Sequence, residues 1–404
     1  MRIGIIAPFE TSSLIDLIGS QANELPLGYA GAPMIGVLAR ALIQRGHQVS
    51  IFTTDNTLLP AQLEPVVFKN EHLTIYYCPA RPRSFTPQDG MNGRMTDFYL
   101  FERQGLKKSL LMDQPEIIHA HWAYEFSWAA MDSKIPYVVT FHDSPLRVLR
   151  YMPNLYRLGR YFMARKTIKT AKLVTTVSPY MQDQLLRWSG RKVELVPNGL
   201  EEDWFSIATT PDSRELLRPK IGMISNGWIR LKNTKQALEA FALIRKKLPQ
   251  AELHLFGIDY GPNELAEQWC RKNGIAEGLY FHGKIPYTEL KKHFLKLTLL
   301  IHPSLEESFG MTVVEAMALA LPVVGGDKSG AVPWLLENGE AGILTNVKDS
   351  KKIAEEVLKL LNDSQRYLKL AFSAQTSARK RFLVNSVAEQ YESYYQRALK
   401  NAEE

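Results

Sequence analysis

Thr298 to Ala318 reads TLLIHPSLEESFGMTVVEAMA, and its succession of apolar run, polar loop and helix-period segment decides the fold class. Leu299 to Ile301 has the character of a buried strand, and Pro303 and Ser304 end it. A loop carrying Glu306, Glu307, Phe309 and Gly310 then leads to Thr312 and the helix-period residues Val313 to Leu319. In an open parallel sheet such a junction lies at the carboxyl ends of the strands, where ligands bind, and the free N–H groups that open the helix favour an anion. Gly310, Met311 and Thr312 are therefore where a phosphate is expected.

The same alternation runs outward in both directions. Strands are expected at Arg2 to Ala7, Val49 to Thr54, Leu73 to Cys78, Glu116 to His119, Tyr137 to Phe141, Leu173 to Val177 and Val193 to Val196, with helix-period segments between them. The second half repeats the scheme, with strands at Lys220 to Ser225, Glu252 to Phe256, Leu279 to His282, Leu297 to Ile301, Pro322 to Val324 and Gly342 to Leu344. Strands alternating with helices argue for βαβ units and an α/β fold with mostly parallel sheets. The charged, weakly periodic stretch from Glu201 to Arg218 reads as a linker. The expected domains are 1–205 and 206–380, with a final helical segment, 381–404, long enough to pack back on the first.

The chain has 404 residues and is 45% hydrophobic, enough to bury two cores. Its two cysteines, Cys78 and Cys270, are too few and too isolated for a disulfide framework or a Cys-based metal site. The first ten residues suit a strand better than a signal peptide, and no apolar stretch is long enough to span a bilayer, so a cytoplasmic protein is expected. The net charge of +7 is unevenly spread. Arg147 to Lys172 holds eight basic residues and no acidic one. This segment is either a solvated basic helix or a contact for anionic lipid at the inner membrane face or for a polyanionic acceptor. Its apolar and basic positions mix on a helical wheel, which counts against an amphipathic membrane helix.

Several motifs exclude other chemistries. Gly325 to Gly330, GGDKSG, lacks the spacing of a P-loop, and Gly28, Gly31 and Gly36 are too loosely spaced for a dinucleotide fingerprint. His119 and His121 at a strand end have no further ligands nearby, so no metal site is specified. Nothing points to nucleic acid.

The segment PSLEESFGMTVVEAMALALPVV, with Glu307 and Glu315 in Glu-x7-Glu spacing, resembles the signature of the family 4 retaining glycosyltransferases. RALIQRGHQVSIFTT, EIIHAHW, PYVVTFHD, TTVSPYM and VPNGLEEDWF extend the resemblance through nearly the whole chain. It implies the GT-B fold, two Rossmann-like domains facing across a cleft, with the last helix crossing to the first domain. It also implies transfer of a hexosyl group from a UDP-, GDP- or ADP-sugar to a hydroxyl acceptor, a glycan, a lipid-linked sugar or a small molecule, with retained configuration and no required metal or other cofactor. A sugar-nucleotide epimerase and a non-catalytic sugar or nucleotide binder remain alternatives, since fold alone does not prove activity.

Each candidate residue has a functional and a structural reading. The resemblance gives Glu315 the ribose hydroxyls, yet Thr312 and Glu315 also form the Thr-x-x-Glu pattern of a capping box. It gives Glu307 the transferred sugar, against a solvated loop acid. Lys232 falls where the family has a phosphate-binding lysine, but the family's arginine position, five residues earlier, holds Gly227, so Arg230 is the substitute candidate. Gly283, Lys284 and Ile285 are expected beside the base, and Phe309 belongs to the donor loop. In the first domain the resemblance turns His142, at the end of the apolar strand YVVTF, toward the donor sugar, where a buried hydrogen-bonded histidine is the alternative. Gly31, within the loop Gly28 to Pro33, is expected over the phosphates. His121, Trp122, Tyr124 and Asp143 are the acceptor-pocket candidates, though an aromatic there is as readily core.

Overall fold

The computed structural model describes residues 1–29, 31–58, 64–87, 90–205 and 216–403. The middle of the expected linker, 206–215, lies outside them. The chain divides into two compact units, Met1–Gly199 with Val384–Glu404, and Leu200–Leu383. The first boundary thus falls before the stretch read as linker. Leu200 donates its N–H to the Phe382 carbonyl and bridges Leu383, which ties it to the second unit.

The first unit is built on an eight-stranded sheet of β1 (Arg2–Ile6), β2 (Gln48–Asp55), β3 (Val66–Lys69), β4 (Leu73–Pro79), β5 (Ile117–His121), β6 (Tyr137–Phe141), β7 (Val174–Thr176) and β8 (Glu194–Leu195). The order is β3-β4-β2-β1-β5-β6-β7-β8. Every pairing is parallel except β3 with β4. β3 was not anticipated, because VVFK is only four residues long and carries alternately exposed side chains on the sheet edge. The final helix, Val384–Glu403, completes this unit's core: Val387, Ala388, Tyr391, Tyr395 and Ala398 are buried with Ile3, Ile5, Leu38 and Val138.

The second unit has six parallel strands, β9 (Lys220–Ile224), β10 (Glu252–Phe256), β11 (Leu279–Gly283), β12 (Leu299–His302), β13 (Val323–Gly326) and β14 (Ile343–Thr345), in the order β11-β10-β9-β12-β13-β14. Strand order reverses between β9 and β12 here and between β1 and β5 in the first unit. At such a switch the loops leaving two neighbouring strands diverge and open a crevice at their carboxyl ends. Those four loops carry Lys232, Glu307, Gly31 and Trp122.

Candidate functional site

In the second unit two loops are stitched together at the switch point. The Leu305 N–H donates to the Leu231 carbonyl (2.8 Å), and the Asn233 side chain donates to Pro303 (3.1 Å) and Val347 (2.7 Å). This brings Lys232, on the short 3-10 turn Arg230–Lys232, against Glu307 on the loop after β12, Nζ to Oε1 at 2.9 Å. His302, the last residue of β12, adds its Nε2 at 3.4 Å from the same oxygen. Burial by itself would raise the Glu307 carboxyl, but the ammonium and the imidazole override it and hold the group far below the ordinary carboxylate range. Glu307 is thus a fixed anion rather than a solvated loop acid.

The helix Met311–Ala318 follows, and its N-cap is Gly310 at φ 104°. That placement removes the capping box. Glu315 sits in the second turn, no side-chain cap bond is formed, and Glu315 is 1% exposed with both carboxylate oxygens lacking a hydrogen-bond partner. Burial raises its carboxyl to about 7. The Tyr287 hydroxyl acts on it from the start of the helix Tyr287–Phe294 but makes no bond of normal geometry, and it too is unpartnered. Two buried polar groups without partners in one spot are costly, and a ligand offering hydrogen-bond donors satisfies them. Tyr287 also continues the segment Gly283 to Ile285: Gly283 ends β11 at φ 70°, Lys284 is exposed and Ile285 half-buried.

Two donor-side candidates have surroundings of their own. Phe309 is buried, its ring 5.6 Å from Phe382 and 6.3 Å from Trp334, so its side chain anchors the loop from below. Lys232 reaches Glu307, but Arg230 is exposed and lines, with Trp228, Lys235 and Gln236, a cavity of about 370 Å³ whose walls include neither Lys232 nor Glu307. Gly227 adopts φ 91°, a conformation side-chain-bearing residues rarely take, so this loop has a turn of its own where the family arginine would stand. His302 and Tyr287 were missed by sequence reasoning. A histidine closing an apolar strand and a tyrosine opening a helix are ordinary until the sheet order sets them beside two acids.

In the first unit, β5 and β6 end side by side and gather the remaining candidates. His121 Nδ1 and His142 Nε2 are 2.8 Å apart, and the His142 ring packs 4.3 Å from Trp122, which has φ 62°. Behind them buried His119 bonds Tyr395 (2.8 Å) and Thr140 (2.7 Å). Burial depresses all three histidines, His142 to about 3, so these rings are neutral near pH 7 and exchange hydrogen bonds without carrying charge. Buried His121 Nε2 is left without a partner. Tyr124 is 2% exposed and does not line an open pocket: its hydroxyl donates to Asp143 (2.7 Å) and the Arg160 guanidinium covers its ring at 3.7 Å. Arg160 also pairs with Asp143 at 3.7 Å. It therefore leaves the basic surface run and joins the site, which its place among seven other basic residues had concealed. Gly31 is exposed at φ 105° with open space around its α-carbon.

Among the described residues no group of three or more histidine, cysteine, aspartate or glutamate side chains is placed to hold a metal, and no helix is long and apolar enough to cross a membrane.

Two doubly wound α/β units, one with an anion-ready helix at its switch point, make up the GT-B architecture. Residues 34–204 match the family described as Glycosyltransferase Family 4 and residues 217–380 match Glycosyl transferases group 1. The chain belongs to the family 4 glycosyltransferases. It is 22% identical to the N-acetyl-alpha-D-glucosaminyl L-malate synthase of Bacillus anthracis, over 92% of this chain and 95% of that one. Its fold matches sucrose-phosphate synthase from Thermosynechococcus elongatus at a TM-score of 0.78 with 18% identity, covering 99% and 100% of the two chains. It also matches Anabaena HepE, solved in complex with UDP-glucose, at 0.70 with 18% identity over 98% and 99%.

Proposed function

We propose that this glycosyltransferase moves a hexosyl group from a nucleotide diphosphate sugar to an acceptor hydroxyl, with retention at the anomeric carbon. The observation that carries the reading is the buried, unpartnered Glu315 carboxylate on the helix that follows the loop of Glu307, itself paired with Lys232. Two ribose hydroxyls are donors of the number such a carboxylate lacks. In this reading Lys232 and the N–H groups at Gly310, Met311 and Thr312 take the diphosphate, Arg230 adds charge, and Glu307 orients the sugar. The base lies along Gly283, Lys284 and Ile285, with Phe309 supporting the loop from beneath.

In the first unit neutral His142 exchanges a hydrogen bond with the transferred sugar, Gly31 belongs to a loop over the phosphates, and His121, Trp122 and Asp143 serve the acceptor with Arg160 behind them. Transfer breaks the bond between the anomeric carbon and the phosphate oxygen and forms the bond to the acceptor oxygen on the same face. The acceptor proton passes to the leaving phosphate, so no protein nucleophile is needed. HepE, solved with UDP-glucose, makes UDP-sugars the first donors to try.

Thermal unfolding with UDP-, GDP- and ADP-hexoses tests the reading. One of them is expected to stabilise the protein and to lose that effect in Glu315→Leu. Stabilisation by none would overturn the reading, and isomerisation of the donor incubated alone would replace transfer by epimerisation.

A further inference from the structure

The basic segment separates into an inward and an outward part once folded. The helix Leu155–Thr170 is held at its start by the Asn154 side chain, which accepts from the Arg157 N–H, and at its end by Arg191, whose guanidinium donates to the Ile168 and Ala171 carbonyls. Met163, Ala164, Thr167 and Ile168 face the interior, and at Gly159 the helix lies directly on buried Met95. The opposite side carries Leu155 (62% exposed), Leu158 (38%) and Phe162 (54%) in its first half, then exposed Arg165 and Lys169. Their spacing of three or four residues puts all five on one stripe running about 21 Å along the helix. The wheel read from sequence showed mixing because Arg160, turned in toward Asp143, and the buried residues were counted with this stripe.

We propose that the stripe docks on an anionic lipid surface, its apolar N-terminal half entering the headgroup layer and Arg165 and Lys169 resting on lipid phosphates. Three large exposed side chains in a row are unusual for a solvated helix. A soluble polyanion has no use for them, whereas an interface takes both halves. A second copy of this chain would bring like charges together. The absence of any acidic residue from Arg147 to Lys172 gives the complementarity a single sign. The proposal is independent of the donor chemistry, because binding is read without substrate.

Cosedimentation with vesicles of phosphatidylcholine, with and without phosphatidylglycerol, tests it. The full chain should bind the phosphatidylglycerol vesicles selectively. Arg165→Gln with Lys169→Gln should weaken binding roughly 25-fold, at about five-fold per cation. Leu158→Ser with Phe162→Ser should weaken it by about 10-fold or more. The charge pair should leave the melting temperature unmoved, since Arg165 and Lys169 are exposed, and the apolar pair should lower it only slightly, Leu158 being 38% exposed. Failure to bind phosphatidylglycerol vesicles, vesicle binding indifferent to Leu158 and Phe162, retention on heparin in place of vesicles, or concentration-dependent self-association abolished by the apolar pair would each overturn it.

Discussion

Glu315 sets two demands against each other. A carboxylate buried without hydrogen bonds destabilises the empty protein when ionised, and the same deficit makes it a strong acceptor for a ligand with two donors. Its carboxyl is raised to about 7 from 4.5. Through that interval the folded state holds a proton that the unfolded chain has released, so stability falls as pH rises and the full penalty is present above about pH 7. At about 1.4 kcal/mol per pKa unit the penalty is roughly 3 kcal/mol. Glu315→Gln should therefore gain on the parent by roughly 2–3 kcal/mol between pH 5 and pH 8 in urea unfolding, while binding nucleotide sugar more weakly at every pH. Parallel pH profiles would mean that the carboxylate has a partner in the empty state. Glu307 differs in kind: with Lys232 and His302 around it, it stays ionised and its neighbours stay in place with no ligand.

At the scale of elements, the strand β12, its loop and the helix Met311–Ala318 act as one piece, and Gly310 is its joint. A β-carbon at Gly310 would come within 3.3 Å of the Leu335 side chain and 3.9 Å of Glu307, on a backbone at φ 104°. Gly310→Ala is expected to cost about 1–3 kcal/mol in chemical unfolding and to weaken donor binding along with it. Unchanged stability would show that the helix start shifts without strain. This piece was legible in sequence because strand, loop, glycine and both glutamates are local to some twenty residues. The capping reading failed because the helix begins at Gly310, which puts Glu315 beyond capping reach. His302, Tyr287 and Arg160 were not legible, since their roles depend on which strands are neighbours and on which face of a helix lies inward. Lys232 became a candidate through the resemblance, yet its partnership with Glu307 follows from the placement of β9 beside β12.

For the whole molecule, the two units are not equivalent in how the chain closes them. The second is one continuous segment, whereas the first lacks part of its core until Val384–Glu403 is added. That helix is fastened at its core by Tyr395 on His119 and at its rim by Glu392, which takes a two-point bond from Arg45 (2.6 and 2.8 Å) and one from His47 (2.8 Å). The Arg45 bonds first, then His47, hold the Glu392 carboxyl at about 2. Its pKa is lowered on folding, so its contribution is complete above the unfolded value of 4.5 and is lost as pH falls toward 2. The pair is partly exposed and screened, which limits it to about 1–2 kcal/mol. Glu392→Gln should cost that much near pH 7, with parent and variant converging as the pH is lowered to about 2.5. Tryptophan fluorescence alone would mix the units, so the measurement is hydrogen exchange at the amides of β1, β5 and β6, which share this core. Protection there should fall in Glu392→Gln while the amides of β9 and β12 are unchanged. Equal loss in both sets would mean that the last helix stabilises the chain as a whole and not the first unit in particular.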